Sequence, residues 1–313
     1  MRRRELLKSL AVGAAAADLA AVYSAHDPGA KQHSDVKIRP TRFVETRDGA
    51  SLFFTDWGAG KPLLFLAPWA LNSEWWEHQA PYLAGQRLRC ISYDRRGHGR
   101  SACPPQGGYD FDTLADDLAA VIEQLNLRDV ILVAQSMGCG EAVRYLSRHR
   151  ASRVSGAVLI STITPFILKT PDNPDGVDRS ILEKARAALA KDRPHQVAAA
   201  APAFFGSPKN PLSTEMTEWW TRMIVDRVSL KTLLDLHRIF TETDFRAELG
   251  MIRVPTLLIH GDSDQATPLE ITGRKTARLI QGSELKVYEG AAHGLPVTHA
   301  ERLNADLLAF ATK

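Results

Sequence analysis

The stretch DVILVAQSMGCGEAVRYLSRH, residues 129–149, joins an apolar run to a helical pattern through a turn that contains glycine. Residues 129–135 are typical of a buried strand, and residues 137–149 have the apolar spacing of an amphipathic helix. Ser136 lies between them, in a variant of the strand–turn–helix motif Gly-x-Ser-x-Gly whose first glycine is replaced by Ala134. Two interpretations are open: Ser136 is a nucleophile on a strained turn, or it is an ordinary serine at the end of a strand.

The chain on both sides of this stretch alternates short apolar runs with amphipathic segments of helical period. Such an alternation predicts strand–helix–strand units, and therefore an α/β fold with a mainly parallel sheet and helices on both faces. A hairpin is expected at the start of the fold, and Asn72 is expected to cap a helix that continues through Tyr82. The expected strands are residues 41–46, 51–57, 62–67, 88–94, 129–135, 154–161, 254–260 and 285–289, and the other clear helices are residues 111–127, 137–149 and 298–311.

The alternation stops between residues 162 and 250, where the sequence is first rich in proline and then helical. This segment is interpreted as a helical cap inserted into the sheet. Its Trp219-Trp220 pair has two possible roles, as part of an acyl pocket or as core of the cap. The predicted organisation is an N-terminal segment of residues 1–40, a core formed by residues 41–161 and 251–313, and a cap of residues 162–250.

Composition excludes several classes of protein. The 313 residues are 44% hydrophobic and 24% charged with a formal net charge of +3, which is typical of a globular protein and too little positive charge to indicate a nucleic-acid partner. Cys90, Cys103 and Cys139 form neither a CxxC pair nor a metal-ligand spacing with the histidines, and they are expected to be small core hydrophobes. Because no phosphate-loop or dinucleotide fingerprint is found either, we expect no cofactor and no metal.

The N-terminus is unlike the rest of the chain. RRELLK at residues 3–8 fits a twin-arginine export signal, and an apolar run of small residues follows from residue 9 to residue 25. Asp18 interrupts that run and no clean Ala-x-Ala cleavage site is near its end, so an uncleaved amphipathic or disordered terminus of a cytoplasmic protein is the alternative to export to the periplasm. The run is too short and too interrupted to predict a stable membrane span.

Polar side chains follow three of the expected strands at their carboxyl ends, which meet at one edge of a parallel sheet. They are Ser136, the pair Asp262 and Asp264, and His293. A serine hydroxyl needs a histidine to take its proton during attack, and an aspartate to orient that imidazole, so these residue types together indicate nucleophilic catalysis. Asp264 is the preferred carboxylate, because Asp262 lies in the turn Gly261-Asp262 and is expected to bind nearby backbone N–H groups.

Four stretches resemble the α/β-hydrolase superfamily, and within it the bacterial aryl esterases and perhydrolases formerly called cofactor-free or non-haem haloperoxidases. The resemblance covers residues 41–313 and implies the α/β-hydrolase fold, with Ser136 as nucleophile, Asp264 as acid and His293 as base. The matching stretches are SYDRRGHGRS (residues 92–101), VAQSMGCGEAVRYLSRH (133–149), VPTLLIHGDSDQATPLE (254–270) and ELKVYEGAAHGLPVTHAERLNADLLAFA (284–311).

The family also builds an oxyanion hole from two backbone N–H groups, one after the nucleophile and one in the loop after the third strand. By the resemblance these donors are Met137 and Trp69. The loop departs from the family, because many relatives have His-Gly before the donor and this chain has Ala67-Pro68. Proline has no N–H, so Pro68 itself cannot donate. Arg95, Arg96 and His98 of DRRGHGRS are expected to be structural rather than catalytic, and to order the loop next to the site.

The resemblance implies cofactor-independent hydrolysis of small or aryl carboxylic esters, with a perhydrolase side activity when hydrogen peroxide replaces water as the acyl acceptor. Hydrolysis of lactones by the same mechanism is one alternative, and a slow-turnover ligand receptor that keeps the hydrolase fold is another. The expected partner is a small-molecule ester, and a homo-oligomer stays possible.

Overall fold

The structure is a computed structural model that describes residues 42–102, 107–149, 151–206 and 208–313. The export-signal prediction and Cys103 lie outside these residues, so they stay predictions.

In the described residues, eight strands form one sheet in the order β1-β2-β4-β3-β5-β6-β7-β8. The first two strands form the expected antiparallel hairpin, and β2 is also antiparallel to β4, whereas all other neighbours are parallel. The predicted α/β fold with a mainly parallel sheet is therefore confirmed. The strands are β1 (Arg42–Glu45), β2 (Ser51–Gly58), β3 (Lys61–Leu66), β4 (Leu88–Tyr93), β5 (Val130–Gln135), β6 (Val154–Ile160), β7 (Thr256–Gly261) and β8 (Glu284–Tyr288).

Helices cover both faces of the sheet. Along the central strand β3, Leu64 and Leu66 belong to one apolar core, and Leu63 and Phe65 belong to the other, as the period of two requires. The helices of the core fold are α1 (Ser73–Trp76, a 3-10 helix), α2 (Ala80–Gly85), α3 (Phe111–Gln124), α4 (Met137–Arg148), α10 (Gly273–Leu279), α11 (Leu295–Thr298) and α12 (Ala300–Ala311). Helices α3 and α4 pack into the first core, and α2 and α12 pack into the second.

The helix expected from Asn72 through Tyr82 is two helices. Asn72 does cap α1, because its side-chain oxygen accepts a hydrogen bond from Glu74 N–H at 2.9 Å. A continuous α-helix would need Pro81 to donate to the carbonyl of Glu77, and proline has no N–H. Pro81 instead lies in the first turn of α2, where amides have no acceptor within the helix.

The described part of the segment between β6 and β7 contains five helices, of which the first begins only at Arg179. Trp220 is buried among aromatic side chains of this segment, and Trp219 is half-buried. The helices are α5 (Arg179–Lys191), α6 (Arg193–Phe205), α7 (Thr214–Arg227), α8 (Leu230–Glu242) and α9 (Arg246–Leu249).

Helix length bears on membrane insertion. A helix needs about 20 apolar residues to cross a bilayer. No helix within the described ranges reaches the length and apolar character that a membrane crossing requires.

Candidate active site

Ser136 occupies a strained turn between β5 and α4. Its backbone has φ 53° and ψ −116°, in a region that residues with a side chain rarely adopt. Ser136 N–H donates to the carbonyl of Ile160 at 2.9 Å, which fixes the turn against the end of β6. Such a conformation costs about 1–3 kcal/mol and persists only where the surroundings impose it, often at functional sites.

The space around this turn explains which neighbours must be small. A Cβ added to Gly138 would lie 2.6 Å from the Leu66 carbonyl oxygen and 3.0 Å from that of Ala67, both of which are backbone atoms at the end of β3. The methyl group of Ala134, in contrast, is accommodated in the apolar core. The glycine that the turn requires is therefore Gly138, and the alanine in the first position of the motif is compatible with the fold.

We expect Gly138→Ala to destabilise the protein by about 1–3 kcal/mol, because the new methyl group can be accepted only if β3 or α4 moves. The loss should appear as a lower midpoint of urea unfolding. Ala134→Gly is the matched control, and it should change the free energy of unfolding by no more than about 1 kcal/mol. A Gly138→Ala variant as stable as the control would contradict this explanation of the motif.

Asp264 and His293 lie together at the carboxyl edge of the sheet. Asp264 Oδ2 is 2.8 Å from His293 Nδ1, and both side chains are buried. The backbone N–H groups of Ala266 and Thr267 each donate to Asp264 Oδ1 at 2.9 Å, and the Thr267 hydroxyl donates to Oδ2 at 3.0 Å. The carboxylate is thus held in one orientation, directed at the imidazole.

The surroundings keep Asp264 ionised. Burial acts to raise the pKa of its carboxyl, but the charge and hydrogen bond of His293, the charge of His260 and the Thr267 N–H together lower it to about 2. An ionised carboxylate only accepts hydrogen bonds, so His293 Nδ1 carries the proton in their contact. In the neutral ring Nε2 is then free of a proton and able to accept one.

Asp262 makes a different set of contacts. It is exposed, and its Oδ1 accepts hydrogen bonds from Gly290 N–H at 2.8 Å and from the Ser263 hydroxyl at 3.1 Å. Asp262 therefore joins the exits of β7 and β8 through the backbone, as expected, while Asp264 contacts the imidazole.

Gln135 was not singled out by the sequence, although it is the one polar side chain in the apolar strand β5. It is fully buried, and its Oε1 accepts a hydrogen bond from Trp75 Nε1 at 2.6 Å. Its Nε2 donates to the His293 backbone carbonyl at 2.7 Å. The residue before Ser136 thus fixes the loop that carries His293.

We expect Gln135→Leu to lower the free energy of unfolding by about 2–5 kcal/mol, because it leaves two buried groups, Trp75 Nε1 and the His293 carbonyl, without partners. The looser histidine loop should also lower kcat. Gln124→Leu is the control, since Gln124 donates an exposed hydrogen bond to the Glu45 carbonyl. Equal stability of the two variants in urea unfolding would show that Gln135 does not hold this loop.

The loop after β3 makes a tight turn at residues 68–71. Leu71 N–H donates to the Pro68 carbonyl at 3.3 Å, and Ala70 is fully buried with φ 67°. The Trp69 indole donates to the Leu233 carbonyl of α8 at 3.1 Å, which connects this turn to the inserted helices. On the other side, Met137 is the first residue of α4, so its N–H has no acceptor within the helix.

One aromatic side chain of the inserted segment, that of Phe204, contacts the imidazole of His293. The Phe204 ring lies edge-on to His293 with 5.2 Å between centroids, and it also packs against Trp75 and Trp220. Gly294 N–H donates to the Phe204 carbonyl at 2.7 Å. Helix α6 therefore lies directly over the loop of His293, a contact that the Phe204-Phe205 pair in the sequence did not by itself reveal.

Comparison with known proteins identifies the family of the chain. The sequence pattern of the alpha/beta hydrolase fold matches residues 61–300. The non-heme chloroperoxidase CPO-A1 of Kitasatospora aureofaciens is 40% identical over 86% of this chain and 98% of its own, and the bifunctional esterase/perhydrolase DCH of Acinetobacter calcoaceticus is 38% identical with the same coverage. Among solved structures, the esterase EaEST of Exiguobacterium antarcticum has a TM-score of 0.83 at 29% identity, over 88% of this chain and all of its own. The chain therefore belongs to the alpha/beta hydrolase family, as the resemblance predicted, and it is a hydrolase.

Proposed function

We propose that the protein hydrolyses carboxylic esters through a covalent acyl-serine intermediate formed on Ser136. The observation that carries this proposal is the buried, oriented pair of Asp264 and His293, tied through Gln135 to the strained turn of Ser136. The names of the esterase/perhydrolase of Acinetobacter calcoaceticus and of the esterase of Exiguobacterium antarcticum support the same chemistry.

In the proposed mechanism His293 Nε2 takes the proton of the Ser136 hydroxyl as its oxygen attacks the ester carbonyl carbon. The carbonyl oxygen becomes an oxyanion, which the N–H groups of Met137 and Trp69 stabilise. Collapse of this intermediate breaks the bond to the alcohol, and the alcohol leaves with the proton from His293. Water then attacks the acyl carbon in the same way, with its proton going to His293 and back to Ser136 Oγ as the acid departs.

We further propose that the substrates are small or aryl esters. The rings of Phe204, Trp75 and Trp220 form an aromatic group beside His293, which favours a flat or short acyl or leaving group over a long flexible one. Hydrogen peroxide in place of water would give a peroxy acid by the same steps, which is the side activity we propose.

A substrate panel tests this function. We expect sustained turnover of p-nitrophenyl and phenyl esters, with kcat/KM highest for acetate and falling as the acyl chain lengthens, and with peroxy acid formed when peroxide is added. Lactones in the same panel test the alternative chemistry. Turnover of lactones alone, or one stoichiometric release of p-nitrophenol without further turnover, would contradict the proposal.

For localisation, we propose that residues 1–40 contain an export signal of the twin-arginine type, on the basis of RRELLK at residues 3–8. N-terminal sequencing of the protein purified from its native source is the test. A mature N-terminus downstream of residue 8 is expected, and an intact Met1 would count against cleavage.

A further inference from the structure

A buried ion pair joins the turn after β4 to the helix that begins behind Ser136. Arg95 Nε and Nη2 both contact Glu141 Oε1 at 2.5 Å, and Glu141 Oε2 accepts a hydrogen bond from the Tyr93 hydroxyl at 3.0 Å. Arg95 is 3% exposed and Glu141 is 1% exposed. The proposed steps at Ser136 use neither side chain, so this pair has a role still to be explained.

A second edge of the Arg95 guanidinium contacts the loop after β3. Its Nη2 donates to the Ala67 carbonyl at 2.7 Å, and its Nη1 makes a longer contact of 3.4 Å with the Pro68 carbonyl. These carbonyls belong to the two residues that replace the His-Gly of many relatives. Arg95 thus holds the part of the loop where this chain differs from the family pattern.

The geometry of the peptide between Pro68 and Trp69 determines the direction in which the Trp69 N–H points. The Pro68 carbonyl and the Trp69 N–H belong to one planar trans peptide, so they point in opposite directions. Arg95 Nη1 and Leu71 N–H both hold the Pro68 oxygen. Because rotation of this peptide would break both contacts, the Trp69 N–H is kept pointing away from Arg95.

Glu141 connects the same guanidinium to the second donor. It lies four residues after Met137 in α4, and therefore one helical turn along the same face. A single guanidinium is consequently bonded both to the loop that carries Trp69 and to the helix whose first N–H is that of Met137.

We propose that Arg95 and Glu141 form a clamp that sets the distance and orientation between the Trp69 and Met137 N–H groups, and so positions the oxyanion hole. This inference rests on the proposed function. Both are positioning residues, because they act through the backbone of the loop and the helix. A guanidinium is suited to this work, since its planar fork of donors reaches a carboxylate and two carbonyls at once.

The stretch DRRGHGRS, which contains Arg95, also contains the arginine of a matched control. Arg96 and Asp117 form a second buried pair, with Arg96 Nη2 2.5 Å from Asp117 Oδ1 and exposed fractions of 1% and 2%. Within the described residues, the further hydrogen bonds of the Arg96 side chain go to Asp48 and to the Gly107 carbonyl, and not to residues 67–71. Loss of this pair therefore removes a comparable buried interaction without releasing the oxyanion loop.

The experiment compares Arg95→Met/Glu141→Gln with Arg96→Met/Asp117→Asn, which remove both charges of each pair and so leave no unpaired buried charge. For each variant we would measure the rate of acylation by p-nitrophenyl acetate and the affinity for a trifluoromethyl ketone, which forms a tetrahedral oxyanion adduct with a serine. We expect the first variant to lose about 10²–10³-fold in both quantities, as for loss of one oxyanion-hole donor. KM should change little, and the control should keep both quantities within about tenfold.

Arg95→Lys is the conservative variant, and it allows the clamp to be tested if Arg95→Met/Glu141→Gln does not fold. It retains the charge opposite Glu141, but one ammonium cannot reproduce the fork, so a smaller loss in the same two quantities is expected. Equal losses in the two double variants would overturn the clamp, and so would wild-type acylation and wild-type inhibitor affinity with Arg95→Lys. Failure of the wild-type enzyme to form an acyl-enzyme would overturn the proposed function itself, and the clamp with it.

Discussion

Replacing Ser136 with alanine is expected to lower kcat for ester hydrolysis by about 10⁵–10⁶-fold, the size of loss found when the nucleophile of a serine hydrolase is removed. The alanine variant lacks the oxygen that would attack the carbonyl, so it cannot form the acyl-enzyme. Its fold should be retained, because the described contacts that fix the turn, such as the hydrogen bond to Ile160, are made by the backbone of Ser136. Steady-state release of p-nitrophenol, measured beside thermal unfolding, checks both parts.

Ser161 offers a closely matched control. It also follows a strand directly, has φ 45° and is fully buried, and its hydroxyl has no hydrogen-bond partner within the described part of the chain. Ser161→Ala should therefore keep its activity. If Ser136→Ala retained wild-type turnover, or if Ser161→Ala lost as much activity as Ser136→Ala, the role proposed for Ser136 would be wrong.

The second large effect is expected at Asp264. Asp264→Asn should lower kcat/KM by about 10⁴-fold, because an amide can donate to His293 Nδ1 and so stabilise the tautomer that has its proton on Nε2. That tautomer cannot accept the serine proton. Asp262→Asn is the control, since its carboxylate contacts backbone and a neighbouring serine, and we expect a change of no more than a few fold. A larger loss of kcat/KM with Asp262→Asn than with Asp264→Asn would identify Asp262 as the acid.

The same substitution has a consequence for stability at low pH. The pKa of Asp264 is lowered from 3.8 to about 2, so its ionised form favours the folded state. This contribution, about 2 kcal/mol, is fully present above the unfolded pKa and is lost as the pH falls through the folded value. The difference in free energy of unfolding between wild type and Asp264→Asn should therefore shrink as the pH falls from about 4 to about 2. A difference independent of pH would show that the carboxylate is not stabilised by its surroundings.

The positions of Ser136, Asp264 and His293 were predictable from the sequence because they depend on local features. Each follows a stretch whose pattern predicts a parallel strand, and parallel strands bring their carboxyl ends to one edge. The choice between Asp262 and Asp264 was also local, since the turn Gly261-Asp262 predicted backbone contacts for the first carboxylate.

Contacts between distant parts of the chain could not be predicted in this way. Gln135 and His293 are 158 positions apart, and their hydrogen bond depends on how β8 and its exit loop lie against β5. The edge contact of Phe204 with His293 depends on how the inserted helices pack over the sheet. No periodicity or spacing contains that information, because each contact is set by the three-dimensional arrangement of separate elements.

The loop at Ala67-Pro68 also depends on a contact with a distant part of the chain. The sequence showed that proline cannot donate and left the orientation of the loop open. Arg95, located 27 positions further along the chain, binds the Pro68 carbonyl from the side opposite to the Trp69 N–H. Arg95, one of two buried arginines in DRRGHGRS, thus holds the loop at the point where it departs from the family pattern.

Covalent labelling of the nucleophilic serine tests the proposed mechanism directly. The wild-type protein would be reacted with a fluorophosphonate, which forms a stable adduct with an activated serine, and the modified peptide would be located by mass spectrometry. We expect one adduct per chain, on Ser136, with complete loss of esterase activity and no adduct on Ser136→Ala. An adduct on another residue that abolishes activity, or full esterase activity in protein modified at Ser136, would show that ester hydrolysis does not proceed through Ser136.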